Sequence, residues 1–231
     1  MKKIVILISS RGSNMEALLN AQLPCHIAAV ISNKADAAGL TIARKLGFKT
    51  VVVPHSDYAT RDLFDAALAI EIERHAPDLV VLAGFMRILS DGFVRQFQGR
   101  MVNIHPSLLP AFPGMHTHRR ALEEGVRIHG CTVHFVTPSL DSGPIISQMA
   151  VPVYGDDSED ALSMRVLEQE HIAYPQAVRW FVEGRLTITQ DGHVLVDREQ
   201  RNPVALQVPP IDEMGSPSTG RVGVNIKMSV S

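Results

Sequence analysis

Sulfur chemistry, aromatic stacking and long apolar runs are all scarce in this 231-residue sequence. There are two cysteines, one tryptophan and 5% aromatic residues. Cys25 and Cys131 are too few for a disulfide framework and form no Cys-x-x-Cys pair, so both are expected as free thiols of a reducing compartment. No apolar run nears the roughly 20 residues that a membrane helix needs. Met1-Lys2-Lys3 before Ile4–Ile8 has the look of a signal peptide, but the run is five residues long and stops at Ser9-Ser10-Arg11-Gly12-Ser13. That is too short for a signal core, and a cytoplasmic location is the expectation. A surplus of one charge sign is also missing. Twenty-two basic residues stand against 24 acidic ones, a formal net charge of −2, which removes the global electrostatic case for nucleic acid or an anionic membrane as partner. No internal repeat is visible.

What is present is ordinary for a globular domain: 45% hydrophobic and 20% charged residues. The first half alternates short apolar runs with amphipathic segments. Strands are expected at Lys3–Ser9, His26–Ile31, Lys49–Val53 and Asp78–Ala83. Helices are expected at Asn14–Asn20, Ala35–Leu46 (ended by Gly47) and Asp57–His75. Continuously apolar strands separated by helices imply βαβ units and a sheet covered on both faces. The fold class that follows is α/β, a three-layer doubly wound, mostly parallel sheet.

The second half is less regular. Ser90–Gln98 reads as a short helix with Ser90 as its cap, Arg100–Ile104 as a strand and His116–Glu124 as a helix. His105–Gly114 contains three prolines and is expected to be an ordered loop. Ile128–Thr137 and Pro144–Val153 read as long strands. Ser158–Glu183 is expected to be a long helix interrupted near Pro175. Leu186–Thr189 and His193–Val196 flank a hairpin turn. Residues 1–199 are expected to form a single domain, with 1–99 binding nucleotide or phosphate and 100–199 holding the chemistry. Residues 200–231 carry four prolines and three glycines with no amphipathic period, and are expected to be a poorly ordered tail.

Three constellations carry chemistry. The strand-turn-helix Ile8–Asn14 places Gly12, Ser13 and Asn14 where free backbone N–H groups favour a phosphate. It lacks a full Gly-x-Gly-x-x-Gly, and Ile31-Ser32-Asn33-Lys34 lacks the acidic residue that holds an adenosine ribose, which argues for a simple phosphate over a dinucleotide. A polar turn without a ligand explains the segment equally well. Asn103 and His105, two apart on a strand, leave on one face while Ile104 enters the core. An amide beside an imidazole suits a carbonyl becoming an oxyanion. Asp141 lies between two strands, where a turn role is the simplest account. It gains a chemical role if it reaches His105 and orients the ring.

The motifs Ala83–Leu89, Asn103–Pro110, Pro113–His118 with Ala121-Leu122, Val133–Val136, Asp141 with Gly143-Pro144, and Glu170-His171 with Tyr174-Pro175 run in order over residues 3–190. Together they resemble the phosphoribosylglycinamide formyltransferases, the folate-dependent glycinamide ribonucleotide transformylases of purine synthesis. The resemblance implies 10-formyltetrahydrofolate as formyl donor and glycinamide ribonucleotide as acceptor, with no metal. It implies Asn103, His105 and Asp141 as the catalytic trio. It places the ribonucleotide phosphate at Gly12, Ser13 and Asn14 and the ribose hydroxyls at Glu170. It implies folate contacts from Arg61, Met86, Arg87, Ile88, Leu89, Asn103, Leu140 and Asp141. Ser10 and Ser142 stand where the family often has glycine, so altered loop geometry is expected at both.

The residues leave other accounts open for the rest. His116-Thr117-His118 offers two ligands without a third, which is thin for a metal. His134 fits a core position or one behind the site. Met86, Met101, Met149 and Met164 fit packing, and Cys131 an inert buried thiol. The resemblance also leaves alternatives. Methionyl-tRNA formyltransferase shares the Asn, His and Asp logic but carries a further C-terminal barrel, and no basic surplus is present here. A deformylase would use water in place of the amine and would carry a regulatory domain ahead of the first strand. A non-catalytic folate- or nucleotide-binding module is the option outside enzymes. Monomer and homodimer fit equally.

Overall fold

The computed structural model describes residues 1–200 together with Leu206 and Val208. The expected tail, 200–231, otherwise lies outside the described residues. Seven strands make one sheet: β1 (Lys3–Ile8), β2 (His26–Ser32), β3 (Thr50–Val52), β4 (Leu79–Leu82), β5 (Met101–His105), β6 (Ile128–Phe135) and β7 (Ile145–Pro152), in the order β3-β2-β1-β4-β5-β6-β7. The first five are parallel; β6 runs antiparallel to β5 and β7 antiparallel to β6. The chain builds outward from β1 to β3, then returns to set β4 on the other side of β1. This reversal opens a crevice at the carboxyl ends of β1 and β4, where sheets of this kind take their ligands.

Among the described residues six α-helices cover the sheet: α1 (Ser13–Asn20), α2 (Ala38–Lys45), α3 (Arg61–Glu73), α4 (Asp91–Gln96), α5 (Thr117–Glu123) and α6 (Glu159–Val182). Strand periodicity decides which residues meet which layer. Ile4, Ile6 and Ile8 join Met15, Leu18, Leu40, Leu162 and Val166, from α1, α2 and α6. Val5 and Leu7 join Phe64, Leu68, Ile72, Phe93 and Phe97, from α3 and α4 and the turn after it. Burial on both faces is why β1 is apolar at every position rather than at alternate ones. Each such side chain contributes about 1.5–3 kcal/mol of burial free energy. The three-layer, mostly parallel arrangement is the one expected.

Three sequence expectations change in detail. The helix expected at Asp57–His75 is a 3-10 turn, His55–Asp57, followed by α3. Thr60 starts the helix instead, its hydroxyl accepting from the Leu63 N–H at 3.3 Å. Helix α2 begins at Ala38, three residues later than Ala35. Helix α6 runs through Pro175 without interruption. Pro175 removes one bond to the His171 carbonyl, but Ala173, Tyr174, Ala177 and Val178 pack into the core on both sides of it. The buried Tyr174 hydroxyl adds a tie, lying 2.9 Å from the Leu82 carbonyl and 3.1 Å from that of Val102. Those carbonyls belong to β4 and β5, so one helix side chain gauges two strands. Residues Leu186–Ile188 and Val194–Val196 form the expected hairpin, β8 and β9. Cys131 is in the core, where burial pushes its thiol up to about 12; Cys25 is half-buried and its thiol is also raised, first by burial.

Candidate active site

Strand β5 carries Val102 and Ile104 into the larger core cluster and turns Asn103 and His105 to the opposite face. On β6, Thr132 and His134 face the same side, paired across the ladder with His105 and Asn103. His105 is buried, and its Nε2 donates to the Phe112 carbonyl at 2.9 Å. Its Nδ1 lies 3.5 Å from Asp141 Oδ2. That is an ion-pair separation, longer than a good hydrogen bond, so the Nδ1 edge is not saturated by the protein. Asp141 Oδ2 is fixed instead by the Gly114 N–H at 2.8 Å.

Asn103 lies beside this pair. Its amide donates to His134 Nε2 at 3.4 Å, while His134 Nδ1 donates to the Phe135 carbonyl at 2.9 Å. These partners assign the neutral Nδ1–H tautomer to His134. Burial, the largest influence on that ring, also favours its neutral form. His134 Nε2 is 4.0 Å from Asp141 Oδ1. Asn103, His105, His134 and Asp141 therefore form one cluster. The sequence leaves His134 a core position or one behind the site; the visible signal for its contact with Asn103 is the alternation of Thr132 and His134 with apolar Cys131, Val133 and Phe135.

The proline-rich loop is ordered by side chains from two strands. Thr132 Oγ1 donates to the Ser107 carbonyl at 2.6 Å and accepts from the Leu109 N–H at 3.0 Å. Gln148 of β7 donates to the Leu109 carbonyl at 2.8 Å. This brings Phe112 and Gly114 to the edges of His105 and Asp141. Asp141 itself has φ 47, in the left-handed region that Asp tolerates better than most residues. Ser10 and Ser142 are outside that region, so neither position demands glycine. Ser142 Oγ donates to the Ser139 carbonyl at 3.0 Å, a turn closure that glycine could not make. Gly143 is different: a Cβ there would lie 1.8 Å from the Phe135 carbonyl oxygen.

At the carboxyl end of β1, Gly12 (φ 76) opens α1. It packs on Gly39 of α2, where a Cβ would meet Ile8 at 2.7 Å; the sequence reading did not single Gly39 out. The first N–H groups of α1, at Ser13 and Asn14, have no helical partner, and a helix start of this kind favours an anion. Asn14 Nδ2 donates to Glu170 Oε2 at 2.7 Å, and Asn14 Oδ1 is buried without a partner. Burial raises Glu170 above its ordinary 4.5, with Asn14 opposing the shift. The contact crosses the expected division at residue 100.

Residues 84–90 form a loop beside the crevice. Met86 and Ile88 are 61% and 68% exposed, and Leu140, one residue before Asp141, is 63% exposed. Met86 is therefore not packing, and neither is the exposed Met164; Met101 and Met149 do pack. Arg87 lays its guanidinium 5.1 Å from the Phe64 ring centre, and Leu89 packs against the smaller core cluster. Arg61 is exposed at the first turn of α3 and has no ion pair among the described residues. The structure does not join it to the cluster. His118 stacks edge-on with His129 at 5.3 Å, away from any third ligand. Among the described residues no group of three or more His, Cys, Asp or Glu is placed to hold a metal, and no helix is long and apolar enough to cross a membrane.

A model of the formyl transferase family matches residues 2–178. The chain is 51% identical over 192 residues to phosphoribosylglycinamide formyltransferase of Escherichia coli (strain K12), covering 81% of this chain and 91% of that protein. It is 44% identical over 202 residues to the trifunctional purine biosynthetic protein adenosine-3 of Homo sapiens, covering 86% of this chain and 20% of the larger one. The crystal structure of glycinamide ribonucleotide transformylase 1 from Symbiobacterium toebii superposes with a TM-score of 0.82 at 46% identity, over 85% of this chain and 94% of its own. Matching length, shared sequence and shared fold agree, and the chain belongs to the formyl transferase family.

Proposed function

We propose that this protein is a phosphoribosylglycinamide formyltransferase, moving a formyl group from 10-formyltetrahydrofolate to the amine of glycinamide ribonucleotide in purine biosynthesis. The observation that carries the reading is the unsaturated His105 Nδ1 edge, 3.5 Å from Asp141 and beside the Asn103 amide. The neutral amine attacks the formyl carbon and a tetrahedral oxyanion forms. Asn103 and protonated His105 donate to that oxygen, where preorganised donors act most strongly. The attacking nitrogen then sheds one proton, and folate N10 takes one up as its bond to carbon breaks. His105 and Asp141 relay these protons.

The phosphate is assigned to Gly12, Ser13 and Asn14, and the ribose hydroxyls to Glu170. The folate is assigned to Met86, Arg87, Ile88, Leu89, Leu140, Asn103 and Asp141, with Arg61 reaching its distal part. Residues 1–199 act as one catalytic domain. The test follows pterin absorbance as 10-formyltetrahydrofolate is mixed with the protein. Turnover that requires glycinamide ribonucleotide supports the reading. Turnover with folate alone would indicate hydrolysis, and binding without turnover a non-catalytic module.

A further inference from the structure

Ser9 is the last residue before the phosphate turn and is 1% exposed. A polar side chain so buried calls for an account of its bonds. Its N–H donates to the Gly84 carbonyl at 3.2 Å. Its hydroxyl accepts from the Met86 N–H at 2.8 Å and donates to Asn33 Oδ1 at 2.7 Å. Asn33, at the end of β2, is held in turn by His55 Nδ1, which donates to its carbonyl at 2.8 Å. Among the described residues, the backbone of 84–89 has no other hydrogen bond to the rest of the protein. The next anchor is the Ser90 N–H, which donates to buried Asp65 at 2.6 Å.

The loop that presents Met86, Arg87, Ile88 and Leu89 is thus held at its start by one residue across the topological switch. That same residue leads directly into the anion turn. Ser10, next in sequence, accepts from the Gly39 N–H at 3.0 Å, and Gly12 opens α1 two residues later.

We propose that Ser9 is a positioning residue that couples the two substrate pockets. A phosphate seated on Gly12, Ser13 and Asn14 restrains the turn that begins at Ser9. The restrained hydroxyl and N–H hold Gly84 and Met86, so the folate loop loses less freedom when the second substrate arrives. Binding of either ligand then strengthens binding of the other by the same factor. The inference rests on the assignment of the two pockets made above.

The test is calorimetric titration of the intact protein with glycinamide ribonucleotide, alone and with saturating tetrahydrofolate, which carries no formyl group and cannot react. The reverse titration checks reciprocity. The wild type is expected to show a mutual gain of about fivefold or more. In Ser9→Ala that factor falls to within about twofold of unity, while Ser9→Thr, which keeps the hydroxyl, restores it. Amide hydrogen exchange of the wild type provides a reading that needs no variant: ribonucleotide alone slows exchange at Met86 severalfold. Wild-type binding without mutual gain, an unchanged gain in Ser9→Ala, or an unaltered Met86 amide would overturn the coupling alone. Failure of the wild type to bind either ligand would overturn the functional assignment beneath it.

Discussion

At the residue scale, His105 and Glu170 are two buried titratable groups with different demands. Replacing His105 with Ala removes the donor at the Nδ1 edge and is expected to lower kcat by about 10²–10⁴-fold. Equilibrium folate binding should hardly change, because Asn103, Leu140 and the 84–89 loop are untouched; a matching loss of folate affinity would show a binding role instead. Glu170 carries a raised pKa because it is buried. Its stabilising contribution is complete below 4.5 and is lost as pH rises through the shifted value, since ionisation is then imposed on a buried group. Glu170→Gln retains an acceptor for Asn14 without the charge. Its melting temperature should exceed that of the wild type more at pH 8 than at pH 5, while KM for the ribonucleotide rises. Equal melting curves at both pH values would contradict this account of Glu170.

At the element scale, the loops matter more than the strands they join. Gly143 closes the turn behind Asp141, and a Cβ there would overlap the Phe135 carbonyl. Gly143→Ala should therefore destabilise by about 1–3 kcal/mol in urea unfolding and lower kcat/KM through displacement of Asp141. Ser142→Gly should cost little, because only the bond to Ser139 is lost. The sequence made the central strands legible, since β1 and β4 have two buried faces, and Gly47 and Ser90 end or begin helices as their chemistry suggests. It did not reveal that α6 survives Pro175, because the compensation lies in long-range packing and the Tyr174 hydroxyl. It named Asn103, His105 and Asp141 through resemblance, and the spacing of Asn103 and His105 through strand geometry. The Phe112 carbonyl, the Gly114 N–H and the Ser9 clamp are contacts of backbone with distant side chains, which no local pattern encodes.

For the whole molecule, acid should be the damaging direction. His129 is 1% exposed, and burial, aided by nearby His118, lowers it from 6.5 to about 4. A depressed histidine stabilises the fold fully above 6.5, and that contribution is lost as pH falls from 6.5 through about 4. His129→Leu should move the acid unfolding midpoint, followed by far-ultraviolet circular dichroism, to lower pH; an unmoved midpoint would place the acid sensitivity elsewhere. The tie between α6 and the sheet also has a consequence for molecular recognition. Tyr174 touches the Val102 carbonyl, one residue before Asn103, and lies one helical turn beyond Glu170. The carboxylate assigned to the ribose and the amide assigned to the formyl oxygen are therefore referred to the same point of the sheet, like two marks on a ruler. A ribonucleotide whose amine arm is longer by one methylene would still seat its phosphate and sugar, yet carry its nitrogen past the formyl carbon, and should act as an inhibitor that is not formylated.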